Sequence, residues 1–261
     1  MRKGFLIIAL TLGLGGVIFI WLQKPEKMTV DIPPSTVVLP SPTLVRSENI
    51  IDFEKDGMAY RAAWVETSDF KNLFLYPNFG EKLSAQKLME QKKCRSLVSA
   101  GFYTEDDEPV GLFVSEGEVF RKRIESRLFD GVFFLENDKA QITLQTPDGI
   151  PRLALQSGPV LLLDGRQMGL KIRDDKPARR VVLALGENGR IYFVIIYNKD
   201  SVLEGPYLAN LPEVVKSLEG KAGFEFRDAI NLDGGSASAF YTDFLTLSEF
   251  SSIGSYFCLN T

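Results

Sequence analysis

The sequence predicts an α+β protein: a mixed, mainly antiparallel β-sheet domain with a few flanking helices, preceded by one transmembrane helix. Three observations indicate this class. Residues 4–22 form an uncharged apolar run, residues 49–261 hold many short apolar runs separated by turn residues, and only two segments have a helical composition. Short strands with few helices are typical of an α+β domain.

Residues 1–24 are predicted to be a single-pass membrane anchor. A helix over residues 4–22 would measure about 28 Å, close to the roughly 30 Å hydrocarbon core of a bilayer. The run ends in Trp21 and Leu22 rather than in the small residues of a cleavage site, which favours an anchor over a removed signal peptide, the alternative that stays open. Arg2 and Lys3 favour a cytoplasmic N-terminus, so the domain is expected on the extracytoplasmic side.

Residues 25–48 are predicted to be an extended linker, because five prolines interrupt them and no helical or alternating period is sustained. Residues 49–261 are long enough to bury the core of one domain. Within it, Asp56-Gly57 and Asn188-Gly189 separate β-rich runs and predict two-residue hairpin turns. Helices are expected over 84–93, with Ser84 as N-cap, and over 207–218, where Pro212 either breaks the helix or starts it.

Charge and cysteine content limit the partners and the compartment. The chain carries a net charge of −4, and because residues 1–27 are net positive, the remainder carries −7. This balance argues against nucleic acid. Cys94 and Cys258 could form one disulfide in an oxidising compartment, and two buried free thiols are the equal alternative.

The chain contains no histidine. This excludes Ser-His-Asp and Cys-His catalysis and histidine-ligated zinc. An enzyme of this composition must rely on carboxylates, arginines, hydroxyls, backbone amides or an oxygen-bound cation.

The segment AINLDGGSASAFY, residues 229–241, is the strongest candidate site. A carboxylate at a strand end, followed by two glycines that allow backbone N–H groups to converge, suits a polar or anionic ligand. A plain turn is the alternative, since Asp-Gly also occurs at Asp56, Asp130, Asp148 and Asp164.

Together with SAGFYTEDDEPVGLFVSEGE (99–118), QSGPVLLLDG (156–165) and the stretch 179–189, this segment resembles the phosphodiester glycosidase family, which includes bacterial exported proteins. The resemblance covers roughly residues 50–261. It departs from the family at Ser99, where members usually carry Asn, and at Ala184, where they carry Gly.

The resemblance implies hydrolysis of sugar-1-phosphodiester linkages. An oxocarbenium-like transition state calls for a carboxylate, here Asp233, and a departing phosphate calls for a guanidinium, here Arg180 with Arg179 as the alternative. The residues expected to bind substrate are Asn231, Gly234, Gly235, Ser236, Ser238, Gln156, Ser157 and Ser99. No cofactor or metal is assigned; the acidic run 105–108 leaves a divalent cation open, with an exposed acidic loop favoured.

Two functional hypotheses follow. The first is a membrane-anchored exported glycosidase that hydrolyses sugar-1-phosphodiester linkages of envelope or exogenous glycans and contacts the bilayer through residues 4–22. The second, motivated by Ser99 and Ala184, is a non-catalytic envelope protein of the same fold that binds glycan or peptidoglycan.

Overall fold

Three β-sheets and two α-helices form residues 49–260, the part of the chain that this computed structural model describes. The helices are α1 (Ala85–Lys92) and α2 (Leu211–Ala222). The strands are β1 (Ile50–Lys55), β2 (Met58–Thr67), β3 (Leu73–Pro77), β4 (Ser96–Ser99), β5 (Phe113–Ser115), β6 (Glu118–Arg121), β7 (Gly131–Glu136), β8 (Lys139–Thr143), β9 (Leu153–Ser157), β10 (Val160–Leu163), β11 (Arg166–Gln167), β12 (Arg180–Gly186), β13 (Ile191–Asn198), β14 (Phe226–Asn231), β15 (Phe240–Tyr241), β16 (Thr246–Leu247) and β17 (Ser255–Leu259).

The strand order is β1-β2-β13-β12-β14-β10-β11 in the large sheet, β16-β15-β4-β17-β3 in the second sheet and β6-β5-β9-β7-β8 in the third. Every pairing between these strands is antiparallel. The mainly antiparallel α+β domain is thus confirmed, although its sheets are not mixed. The predicted transmembrane helix and linker lie outside the described residues, and within 49–260 no helix is long and apolar enough to cross a bilayer.

One of the two predicted hairpin turns is confirmed. Asp56 and Gly57 both have positive φ and close the β1–β2 hairpin at the Lys55–Met58 pair, as a primed two-residue turn requires. The prediction at Asn188-Gly189 was wrong in length, because the last β12–β13 pair is Leu185–Ile191 and the four residues 187–190 connect the two strands. Only Gly189 of that dipeptide has positive φ.

Both predicted helices are present. Helix α1 begins after Ser84, but the N–H group of Ala85 donates to the Glu249 carboxylate at 2.7 Å rather than to the serine side chain. Helix α2 has Pro212 in its first turn and ends at Gly223, which has φ +79°. Residues 208–210 form a separate 3-10 turn, so proline starts the helix rather than breaking it.

The large sheet lies between helix α2 on one face and the other two sheets on the opposite face. Alternate residues of β12 divide accordingly: Val181 and Leu183 join the core shared by the three sheets, whereas Val182 and Ala184 pack on the α2 side. Phe257 of the second sheet has its ring centroid 4.8 Å from that of Phe193 and 5.8 Å from that of Phe133, so it joins all three sheets. Ala184 is therefore a buried packing residue on the helix side.

Cys94 and Cys258 form a disulfide that joins the segment after α1 to strand β17. Their Cα atoms are 5.3 Å apart, and 164 residues separate them in sequence. Both side chains are buried. Of the two alternatives that the sequence left open, the structure contains the disulfide.

Candidate active site

One strand from each sheet ends at a common junction. Strands β4, β9 and β14 end at Ser99, Ser157 and Asn231 respectively. The Ser157 hydroxyl donates to the Asn231 carbonyl at 2.7 Å, and the Ser99 hydroxyl donates to the Asp233 carbonyl at 3.3 Å. The backbone that follows β14 is therefore held by the other two sheets.

Asp233 is the second residue after β14 and lies at this junction. Its N–H group donates to the carbonyl of Ala100 at 2.9 Å. The side chain keeps some contact with solvent, yet protein encloses it on most sides. This burial raises the pKa of the carboxyl to about 7, against a smaller opposing effect of the Gly234 N–H group. A carboxyl with this pKa exchanges a proton readily near neutral pH, which suits acid–base work.

The two glycines after Asp233 allow the chain to approach the start of β12. A Cβ atom at Gly234 would lie 2.7 Å from the carbonyl oxygen of Arg179, closer than such atoms pack. Gly235 has φ +62°, and its N–H group donates to the same oxygen at 2.7 Å. Close backbone approach thus explains Gly234, and the positive φ explains Gly235.

Ser236 lies on the exposed side of this turn and connects it to the loop 248–254. Its carbonyl accepts the N–H groups of Phe250 at 2.7 Å and Ser251 at 3.0 Å. The hydroxyls of Ser236 and Ser251 are also 3.0 Å apart and hydrogen-bonded. The loop 248–254 therefore borders the Asp233 turn, and together with Ser236 it forms the exposed edge of the candidate site, here called the rim. No sequence motif indicated this loop.

Tyr103 is bound to the same loop. Burial raises the pKa of its hydroxyl, and the negative charge of Asp233 raises it further. The hydroxyl donates to the carbonyl of Ser252 at 2.6 Å, and the ring packs where Gly254 lacks a side chain. Tyr103 belongs to the segment 99–118, in which the sequence alone indicated no role for it.

Arg180, predicted to hold the departing phosphate, has other partners. Its guanidinium donates to the carbonyls of Pro206 at 2.9 Å and Lys176 at 2.7 Å, and it pairs with Asp175 at 3.4 Å. Asp175 in turn accepts the N–H groups of residues 208 and 209. Arg180 therefore ties the loop before β12 to the segment before α2, which gives it a structural role.

Arg179, the alternative for that role, is 1% exposed. Its Nε donates to the Ser238 hydroxyl and one Nη to the Ser238 carbonyl, both at 2.6 Å, and the same Nη donates to the Ser248 carbonyl at 2.9 Å. The Ser238 hydroxyl donates to the Gly235 carbonyl at 2.6 Å. Both side chains therefore stabilise the turn through hydrogen bonds to its backbone.

The remaining predicted binding residues are buried. Gln156 uses its amide fully: Oε1 accepts from the N–H groups of Leu112 and Ile124 at 3.0 Å, and Nε2 donates to the carbonyls of Ile124 and Phe129 at 2.7 and 2.8 Å. Ser157 and Ser99 are likewise committed to backbone groups. Among the predicted site residues, Arg180, Asp233, Gly234 and Gly235 are half-buried and Ser236 is exposed.

Asn231 differs from the other buried residues. Its Nδ2 donates to the Gly158 carbonyl at 2.9 Å. Its Oδ1 is buried without a hydrogen-bond partner among residues 49–260.

A cavity of about 660 Å³ lies at the other end of β12 and β14, lined in part by Leu185, Gly186 and Asp228, and it does not include Asp233. Within the described range, no group of three or more Cys, Asp and Glu side chains is placed to hold a metal ion.

The three-sheet fold is shared with a glycosidase catalytic domain. The zebrafish N-acetylglucosamine-1-phosphodiester alpha-N-acetylglucosaminidase catalytic domain, auto-inhibited by its pro-peptide, is similar with a TM-score of 0.60 and 13% identity over 81% of each chain. A hypothetical protein from Synechocystis has a TM-score of 0.55 and 14% identity over 80% of this chain and 61% of that one. A protein described as exported, from Burkholderia pseudomallei, has a TM-score of 0.55 and 10% identity over 78% and 74%.

Sequence comparison gives the family. The phosphodiester glycosidase family model matches residues 92–255, which include strands β4 and β14 and the turn at Asp233. This chain belongs to the phosphodiester glycosidase family. No curated protein sequence matches it.

Proposed function

We propose that this chain hydrolyses sugar-1-phosphodiester linkages and that Asp233 is the carboxyl group at the reacting carbon. The observation that carries the proposal is the position of Asp233: a partly accessible carboxyl with a pKa of about 7, held where the three sheets meet, in a member of the phosphodiester glycosidase family. A group poised near neutral pH suits proton transfer better than an ordinary exposed aspartate does.

In the proposed reaction the bond from the anomeric carbon to the phosphate oxygen breaks, and a water oxygen bonds to that carbon. The products are the free sugar and a phosphate monoester. The monoester leaves with its negative charge delocalised, so it needs little protonation, which is consistent with a chain that has no histidine. Ionised Asp233 either stabilises positive charge at the anomeric carbon or takes the proton of the attacking water.

Phosphate recognition is assigned to polar groups rather than to an arginine clamp. The guanidinium groups of Arg179 and Arg180 are held by protein oxygens. The exposed hydroxyls of Ser236 and Ser251 lie on the rim beside the Asp233 turn and can donate to phosphate oxygens. This arrangement binds phosphate through neutral donors, which suits a diester of single negative charge.

We also propose that residues 1–24 tether the domain outside the cytoplasm, where it acts on envelope or exogenous glycans. The apolar run 4–22 supports the tether. The Cys94–Cys258 disulfide supports an oxidising compartment. Full-length chain in the membrane fraction, and release of a soluble domain when residues 1–24 are deleted, are the expected results. A mature N-terminus near residue 25 in the native host would contradict the tether.

The test of the activity is hydrolysis of a panel of UDP-sugars and N-acetylglucosamine-1-phosphodiesters in ¹⁸O-labelled water. Cleavage at the anomeric carbon puts the label in the sugar, whereas attack at phosphorus puts it in the phosphate. Label in the phosphate would exclude the glycosidase mechanism. No turnover on the panel, together with measurable glycan binding, would establish the non-catalytic alternative, which the hydrogen bonds of Arg179 and Arg180 to protein oxygens favour.

A further inference from the structure

Phe250 is an exposed aromatic side chain on the rim of the Asp233 site. Its ring is 65% exposed to solvent. A ligand that covers an apolar ring of this size gains free energy by removing it from water. The proposed catalytic step does not use it.

The position of Phe250 is fixed relative to Asp233. Its N–H group donates to the carbonyl of Ser236 at 2.7 Å, three residues after Asp233 in the same turn. Two residues further along the loop, the carbonyl of Ser252 accepts a hydrogen bond from the hydroxyl of Tyr103 at 2.6 Å. The loop 248–254 is thus hydrogen-bonded both to the Asp233 turn and to Tyr103.

The ring orientation is also restrained. The guanidinium carbon of buried Arg179 lies over the ring, 5.9 Å from its centroid, within the range of a cation–π contact. Most of the Phe250 side chain nevertheless stays exposed to solvent. The hydroxyls of Ser236 and of Ser251, the next residue in the chain, are hydrogen-bonded to each other.

This combination matches the chemistry of a pyranose ring. A sugar has an apolar face of C–H bonds, whose weakly positive hydrogens pack on the negative face of an aromatic ring, and hydroxyls at its edge that pair with polar groups. We propose that Phe250 is the platform on which the glycosyl ring of the substrate packs, and that it helps to select the sugar. The proposal rests on the proposed function of the same site.

The test compares Phe250→Ala, Phe250→Trp and the parent. Ile150→Ala is the matched control, because Ile150 is 63% exposed and precedes β9 at the end away from the junction. Binding of N-acetylglucosamine, N-acetylglucosamine-1-phosphate and glycerol phosphate is measured by ligand-observed NMR, and thermal melts establish that each variant is folded. We expect Phe250→Ala to weaken both sugar ligands by about 3–10-fold and to leave glycerol phosphate unchanged. Phe250→Trp should retain binding and report it by fluorescence.

The outcomes separate this inference from the proposed function. Equal sugar affinity in the parent and in Phe250→Ala would overturn the platform, as would an equal loss for glycerol phosphate, which would place the phosphate or aglycone there. If the parent binds the sugars but hydrolyses nothing on the substrate panel, the proposed function fails. The sugar affinities of the parent and of Phe250→Ala then decide the platform proposal by themselves. If the folded parent binds no sugar, both fail.

Discussion

Replacing Asp233 by Asn removes an ionisable carboxyl and keeps the size of the side chain. In the folded protein the pKa of Asp233 is raised from 3.8 to about 7, because burial disfavours the charged form. A raised pKa means that the folded state binds the proton more tightly than the unfolded state. The stabilisation that the bound proton gives to the folded state is complete below about pH 4 and is lost as the pH rises through about 7. The parent should therefore lose stability over that range, and Asp233→Asn should not.

The size of the effect follows from the pKa difference. Each pKa unit corresponds to about 1.4 kcal/mol, so a difference of about three units gives at most about 4 kcal/mol. Because the side chain keeps some access to solvent, we reduce this to about 2 kcal/mol. For a domain of about 200 residues, that free energy corresponds to a Tm difference of about 4–8 °C. Asp233→Asn should melt higher than the parent by this amount at pH 8.5 and at nearly the same temperature at pH 4.

Asp233→Asn should lower the activity even though it raises the Tm at pH 8.5. If ionised Asp233 stabilises positive charge or accepts a proton, Asp233→Asn should lower turnover by at least 100-fold, about 2.7 kcal/mol of barrier. The assays are calorimetric melts from pH 4 to 8.5 and kcat/KM on the best substrate of the panel. Asp106→Asn, in the exposed acidic loop, is the control and should change neither.

Two results would count against this account. Equal melting differences at pH 4 and pH 8.5 would mean that the pKa of Asp233 is not raised. Retention of more than about a tenth of parental turnover, a loss below roughly 1.4 kcal/mol, would remove Asp233 from the catalytic mechanism and leave the turn as architecture.

Arg180→Lys should lower Tm while changing kcat/KM less than threefold, because a lysine cannot reproduce the planar bonds to Pro206, Lys176 and Asp175; a large loss of turnover with unchanged melting would restore the phosphate clamp. Replacing Cys94 and Cys258 together by Ala should destabilise the domain by about 5 kcal/mol in the chain-entropy model for a loop of this length. Denaturant unfolding of the oxidised parent and the double variant measures this, and a difference under about 1 kcal/mol would argue against the disulfide's stabilising role.

Local sequence signals predicted local structure well. The Asp56-Gly57 turn and the start of α2 at Pro212 depend on φ preferences that a few adjacent residues determine. At Asn188-Gly189 the same signal gave the wrong turn length. There, the Asn188 side chain bonds to the Arg190 N–H group at 3.1 Å and to the Tyr192 hydroxyl at 2.7 Å, which stabilises a longer loop.

The roles of the polar site residues depend on distant partners and were not predictable. Gln156 satisfies its amide on Ile124 and Phe129, which are 32 and 27 residues earlier in the chain. Arg180 was assigned to phosphate for its guanidinium group, but that group bonds to the Pro206 carbonyl, 26 residues later in the chain, as well as to nearby Asp175. Sequence identifies residue types capable of the chemistry, whereas burial and competing hydrogen bonds decide which of them stay available.

The proposed binding of phosphate by neutral donors has a consequence for the pH dependence of the reaction. A phosphodiester carries a negative charge, and a like charge within a few ångströms raises the pKa of a carboxyl. An arginine between the two would cancel this effect, but the guanidinium groups of Arg179 and Arg180 are held elsewhere. Substrate binding should therefore raise the pKa of Asp233 above its free value of about 7. The pH profile of kcat/KM reports the pKa of Asp233 in the free enzyme, whereas that of kcat reports its pKa in the substrate complex. As Asp233 ionises, kcat/KM should therefore rise with a midpoint near pH 7, and kcat should rise with a midpoint at a higher pH. Coincident midpoints would mean that a cation does neutralise the phosphate beside Asp233, and Arg180→Lys would then be the first variant in which to look for their separation.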